Sequence, residues 1–226
     1  MLTSYKTKRL TLSAMMLAIA TVLSLLCAMI PFLNSLFGGG YTFGSMLCIV
    51  IVSYMYGIRW GMFTSTIYAL IQMMMGHGTI LALFTPDSDS YMGSVLTALL
   101  ICLIDYLLAY SALGLGGIFR NKIKRPASAL CLGSIVALTL RYLCHILSGY
   151  IFYGAWAEWF FSQEGVYEAY GERILSAFSG QSLSLIYSAV YNGLYMIPEI
   201  ITTAVLALVI TRIPQVRRID NPASQS

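Results

Sequence analysis

Four ionisable residues stand inside long apolar runs: Asp105, Arg141, His145 and Glu199. A charge at the centre of a membrane helix costs about 2.5–3.5 kcal/mol on insertion scales, so such groups face a partner or a cavity. Two chemistries are open. Asp105 and Arg141 could neutralise each other as a structural ion pair. Alternatively, the groups line a polar pocket inside a helical bundle. There a carboxylate balances a cation or accepts from an amine, and a histidine supplies a directional hydrogen bond. Glu199 follows Pro198 and lies deeper; it reads as part of a kink or an inner contact, outside the pocket.

Spacing sharpens the pocket reading. Arg141, His145 and Gly149 recur every four residues and share one helix face. Gly149 leaves room there for a ligand or a neighbouring helix, and Tyr153 continues the stripe. Tyr187 and Asn192 are five apart, about 140° around a helix, so they border one cavity from its edges. Tyr106 adjoins Asp105, and Tyr191 and Tyr195 lie close to Asn192. A tyrosine alone is ordinary packing or interfacial anchoring. Grouped with Asp, His and Asn, these tyrosines suit a small, flat, hydrogen-bonding cation, because aromatic faces attract positive charge at about 0.5–2 kcal/mol per contact.

Holding such groups at depth requires long apolar elements, and the composition supplies them. The chain has 226 residues, 58% hydrophobic and 10% charged, with a mean hydropathy of +0.78. A soluble domain carries roughly a quarter charged residues, and disorder needs low hydrophobicity with high charge. At about 20 residues per transmembrane helix, the expectation is an all-α integral membrane protein with six transmembrane helices in a single membrane domain, 1–226. The spans are expected at about 10–30, 45–57, 59–76, 93–119, 127–153 and 183–210. The charge-free stretch from Leu10 to Ile58 is too long for one span, and Pro31, Asn34 and Gly38-Gly39-Gly40 divide it. The second span is short for a bilayer. A polar loop is expected around His77, Pro86, Asp87 and Asp89, a longer outer segment over 154–182, and a disordered tail over about 214–226. On this scheme Asp105, His145 and Asn192 lie about 12–18 Å from the outer helix ends.

Charge sets the expected orientation. With the N-terminus inside, inner segments hold 11 of the 13 Lys and Arg residues, from Lys6, Lys8 and Arg9 to Arg212, Arg217 and Arg218. Outer segments hold only Arg173 but six acids, and the alternation predicts both termini inside. Lys6, Lys8 and Arg9 resemble a signal-peptide start, but the apolar run is too long and is read as a retained helix.

Other classes lose support. The net charge of +4 sits in short clusters that topology explains, which removes nucleic acid as a partner. The five cysteines are scattered through apolar spans, without a CxxC pair, and read as reduced packing residues. No P-loop, GxSxG or HExxH motif occurs, and no Cys/His/acid group has metal spacing; no cofactor or metal is expected. An intramembrane hydrolase could use His145 with a serine, but no particular serine is marked as nucleophile, so the chain is read as not an enzyme. The lack of an internal repeat weakens a secondary-transporter reading. Ala14 and Ala18 form a small-xxx-small pair that permits close helix approach.

Taken in order, FGGGYTFGSM at 37–46, SYMYGIRWGMF at 53–63, IDYLLAYSALGLGGIF at 104–119, RYLCHILSGYIFYG at 141–154 and YSAVYNGLYMIPE at 187–199 resemble one family. This is the thiamine-specific substrate-binding subunit, or S-component, of energy-coupling factor vitamin importers. The resemblance implies a deep, outward-facing thiamine site in a six-helix bundle in the bacterial cell membrane. It also implies docking through Ala14 and Ala18 onto a transmembrane coupling subunit that carries two ATPases. The family's thiamine contacts fall here on Asp105, Tyr106, His145, Tyr153, Tyr187 and Asn192, with Tyr41 or Phe43 as the aromatic lid and Tyr41 favoured. Asp105 stands where the family has Glu, one methylene shorter, and Tyr153 where it has Trp. The competing expectations are an S-component for another vitamin or a pyrimidine precursor, the His145 enzyme, and a structural membrane subunit. Thiamine binding separates the first reading from these.

Overall fold

The computed structural model describes residues 2–30 and 40–212. These residues form helices joined by turns, with no strand among them. The main elements are α1 (Leu2–Ala28), α2 (Met46–Tyr56), α3 (Ile58–Met75), α4 (His77–Phe84), α5 (Val95–Gly117), α6 (Pro126–Phe152) and α7 (Gly180–Ile210). The chain is an integral membrane helical bundle. α1, α5, α6 and α7 are each long and apolar enough to cross a bilayer. α3 and α4 pass as one pair bent by 73°.

α2 has 11 residues, about 16 Å of helix against a hydrocarbon core of about 30 Å. Its residues from Ile49 to Tyr54 are all buried. A helix that is apolar all round and enclosed by protein is a core element, and α2 packs among α1, α3, α5 and α6. By length alone the described helices give four or five crossings, where the sequence suggests six.

Most helix limits fall within three residues of expectation, with informative exceptions. α1 begins eight residues earlier than expected, because nothing in Leu2–Arg9 breaks a helix. Its basic end is anchored by Arg9, which lies over the Trp60 ring at 3.8 Å, while Trp60 Nε1 donates to Ser13 Oγ at 2.9 Å. The polar loop expected from His77 is instead α4 up to Phe84. The longer segment 154–182 is partly helical. It contains the short helices Ala157–Phe161 and Glu172–Ala177, joined through a π-helical turn at Tyr167–Gly171, and α7 has already started at Gly180. The expected tail, and Pro31, Asn34, Gly38 and Gly39, lie outside the described residues.

Local sequence explains how these elements start and meet. Ser94 caps α5, its Oγ accepting from Thr97 N at 3.1 Å. Pro126 opens α6 at a position where its missing N–H costs nothing. Within α5 the helix loosens to a π-helix over Cys102–Leu108 and tightens to a 3-10 helix over Ala112–Gly117. That last stretch is glycine-rich because its backbone rests directly on neighbours: a Cβ at Gly114 would strike the backbone of Met62. α6 and α7 approach just as closely, with Gly149 against Ser188, and Tyr142 donating its hydroxyl to Ala189 O at 2.6 Å. At one end of the bundle Phe160 and Phe161 fold inward onto Leu183 and Tyr187, while Trp156 and Trp159 remain exposed as interfacial rings do.

Candidate functional site

Between the α1–α3–α4 side and the α5–α6–α7 side lies a cavity of about 600 Å³, within the usual range for small-molecule sites. All nine residues singled out in the sequence border it. Asp105 and Tyr106 reach it from α5, and Arg141, His145 and Gly149 from α6, with Tyr153 just beyond. Tyr187 and Asn192 come from α7, and Tyr41 from the segment before α2. Phe43 does not line it and is exposed. Ala14 and Ala18 are away from the cavity, on the exposed surface of α1.

The π-helical stretch of α5 carries Asp105 and Tyr106, and such stretches are frequent at functional sites. Asp105 does not pair with Arg141, which corrects the ion-pair expectation. Its Oδ1 lies 3.0 Å from His145 Nδ1, and its Oδ2 accepts from Ser148 Oγ at 2.7 Å. With the carboxylate accepting, Nδ1 carries the ring proton. His145 Nε2 is then a bare acceptor, buried and without a partner among the described residues. Arg141 turns the other way. Its guanidinium lies over the Tyr110 ring at 4.2 Å, and Nη1 donates to Met46 Sδ at 2.7 Å. Arg141 is 2% exposed and forms no ion pair among the described residues. The aromatic face and the soft sulfur answer its charge in place of a carboxylate.

Asn192 borders the cavity with most of its capacity spent. Its Nδ2 donates to Ser188 O at 2.9 Å and to His145 O at 3.3 Å, and its Oδ1 accepts from Tyr195 at 2.6 Å. It therefore fixes the backbone behind His145 and keeps one oxygen lone pair in reserve.

Glu199, outside the expected pocket, organises the segment that carries Tyr41. Its Oε2 accepts from Thr42 N at 2.8 Å, and its Oε1 from Gly44 N at 2.9 Å and Thr42 Oγ1 at 3.1 Å. Phe43 and Gly44 have φ of 49° and 75°. This left-handed pair turns the two N–H groups toward one side, forming a small anion-holding concavity. Tyr41 is secured in turn by a 2.8 Å contact between its hydroxyl and Thr202 Oγ1.

Sequence reasoning missed Ser148, Gln72, Ser24 and Tyr110. Ser148 is three residues from His145, on the same helix face, and that spacing was available. Gln72 is an amide in the middle of an apolar span, a weaker signal of the same kind as Asn192. The arrangement also bears on hydrolysis: a serine nucleophile must meet the free ring nitrogen, but Ser148 bonds the carboxylate and no described hydroxyl bonds Nε2. Among the described residues no group of His, Cys, Asp and Glu could hold a metal ion, and all five cysteines are free.

Comparison with known proteins places the chain in a family. The chain is 26% identical over 217 residues to the thiamine transporter ThiT of Bacillus subtilis (strain 168), with 92% of each protein covered. The family model described as thiamine transporter protein (Thia_YuaJ) matches residues 10–86 and 89–162, which include Tyr41, Asp105, Tyr106, Arg141, His145, Gly149 and Tyr153. With more than half of its length matched in this way, the chain belongs to the thiamine transporter family.

Proposed function

We propose that this protein captures thiamine for uptake across the bacterial cell membrane. In this reading it is the substrate-binding subunit of an ATP-driven importer of the energy-coupling factor type, a single membrane domain with both termini inside. The observation that carries the reading is the convergence of nine residues, marked by their chemistry and spacing or by the family resemblance, on one cavity in a chain of the thiamine transporter family.

Thiamine is a flat cation with an aminopyrimidine at one end, and the cavity answers each property. His145 Nε2 accepts from the exocyclic amine. The faces of Tyr106, Tyr153 and Tyr187 receive the rings and their positive charge, and Asp105 supplies the compensating negative charge. Tyr41 closes over the bound molecule. The sequence has no nucleotide-binding motif, so energy comes from partners: a transmembrane coupling subunit and two ATPases. Ala14 and Ala18, small and exposed on α1, form the contact with that coupling subunit.

The test is a fluorescence titration of the detergent-purified chain with thiamine. Trp159 adjoins Phe160 in the sequence, and Phe160 meets Tyr187 edge-to-face with ring centroids 5.4 Å apart, so occupancy should give a saturable signal. No signal even in large excess of thiamine, with calorimetry also silent, overturns the reading. Concentrative uptake by vesicles holding this chain alone would overturn its dependence on ATPase partners.

A further inference from the structure

The α1–α3 wall of the cavity holds a buried hydroxyl triangle. Ser24 Oγ is 3.1 Å from Ser45 Oγ and 2.8 Å from Tyr68 OH, and Ser45 Oγ is 3.3 Å from Tyr68 OH. Each hydroxyl has one proton to donate. Three contacts therefore consume all three protons, each oxygen donating once and accepting once. Ser24 has one lone pair left, and Gln72 approaches it at 3.2 Å. With no proton left on Ser24, that contact requires the amide to present its nitrogen. The hydroxyl count thus fixes the sense of the Gln72 amide, which heavy-atom positions alone leave open. Gln72 Oε1 is then the atom left over. Gln72 and Ser24 both line the cavity, and the oxygen has no partner among the described residues.

We propose that Gln72 is a ligand-binding residue, its Oε1 accepting a hydrogen bond from the bound molecule on the wall opposite His145. Ser24 is its positioning residue, holding the amide in the accepting sense from α1. On the thiamine reading, on which this rests, the donor is the hydroxyethyl O–H, because the aminopyrimidine amine is taken by His145. Ligand occupancy then reaches α1 directly, through Gln72 and Ser24.

The experiment titrates the full chain with thiamine and with an analogue whose hydroxyl is replaced by hydrogen. For Gln72→Met, thiamine affinity falls about tenfold while analogue affinity stays within about twofold of wild type. Ser24→Ala gives a smaller loss, again confined to thiamine, because the amide loses its anchor. Equal losses for both ligands would mean a purely structural role and overturn the assignment, as would unchanged thiamine binding in Gln72→Met. A wild-type chain that binds neither ligand overturns the thiamine reading itself. Wild-type binding with an unresponsive Gln72→Met overturns this inference alone. Thermal melting of each variant identifies any loss that comes from unfolding.

Discussion

His145 Nδ1 lies 3.0 Å from Asp105 Oδ1, and this contact leaves the opposite ring nitrogen buried and without a partner among the described residues. A buried acceptor without a partner is costly in a resting protein. An N–H donor on a bound molecule would satisfy it.

Asp105→Asn tests the dyad. The amide oxygen can still accept from His145 and the amide nitrogen can donate to Ser148, so the fold should survive with a near-normal melting temperature. What is lost is the negative charge that faces the ligand and biases the ring proton to Nδ1. Thiamine affinity should fall tenfold or more, about 1.4 kcal/mol. Adding Arg141→Met should not restore it, because Arg141 rests on Tyr110 and Met46. Recovery in the double variant would show that Asp105 served Arg141 after all.

Gly149→Ala tests the α6–α7 seam. A Cβ there would strike Ser188 Oγ and press on the Asn192 amide, so the two helices must separate or Ser188 must give up its bond to Ile146 O. Overpacking of this kind costs about 1–3 kcal/mol. A lower melting temperature should appear together with weaker thiamine binding, since His145 is carried on the same face. A wild-type melt with wild-type affinity would show that the seam yields freely.

Much of this site was legible because membrane interiors make polar residues conspicuous. Asp105, His145 and Asn192 stand out against Leu and Ile, and the four-residue spacing of Arg141, His145 and Gly149 put them on one face. The partner of Asp105 was less legible. Charge pairing pointed to Arg141, whereas the backbone of α5 turns the carboxylate toward His145 and Ser148. Neutral polar residues on the α1–α3 wall were missed because Ser, Thr and Gln are common in such helices and declare themselves only through a network. Helix ends were read well where Pro or Gly broke the pattern. They were read poorly at Lys6–Arg9 and His77, where polar character suggested loop but no residue forbade helix.

Glu199→Gln tests the anchor of the Tyr41 segment. The carboxylate accepts from two backbone N–H groups and one hydroxyl while fully buried. An amide can satisfy at most part of that set and turns an N–H₂ group toward a backbone donor. Stability should fall by about 2 kcal/mol or more, visible as a lower melting temperature in detergent. Thiamine should also dissociate faster as Tyr41 loosens. A variant with unchanged melting and dissociation would remove Glu199 from this role.

Ala14→Trp and Ala18→Trp test the outer face of α1. Both alanines are exposed, so a large ring meets nothing inside the bundle. Thiamine binding by the isolated chain should stay at wild-type level, while co-purification with the coupling subunit and vesicle uptake should be lost. Loss of binding in parallel with assembly would place the pair inside the bundle instead.

The π-helix in α5 is a matter of register as well as shape. Over Cys102–Leu108 the backbone bonds reach one residue further than in an ordinary helix. In evolutionary terms such a turn is one inserted residue, absorbed without breaking the helix. Deleting a single residue there would restore ordinary winding and rotate Asp105 and Tyr106 by about 100° relative to one flank of α5. Point substitutions can trim this pocket. A one-residue change in length could rewrite which side chains enter it, and libraries seeking new ligands should therefore vary the length of this turn as well as its letters.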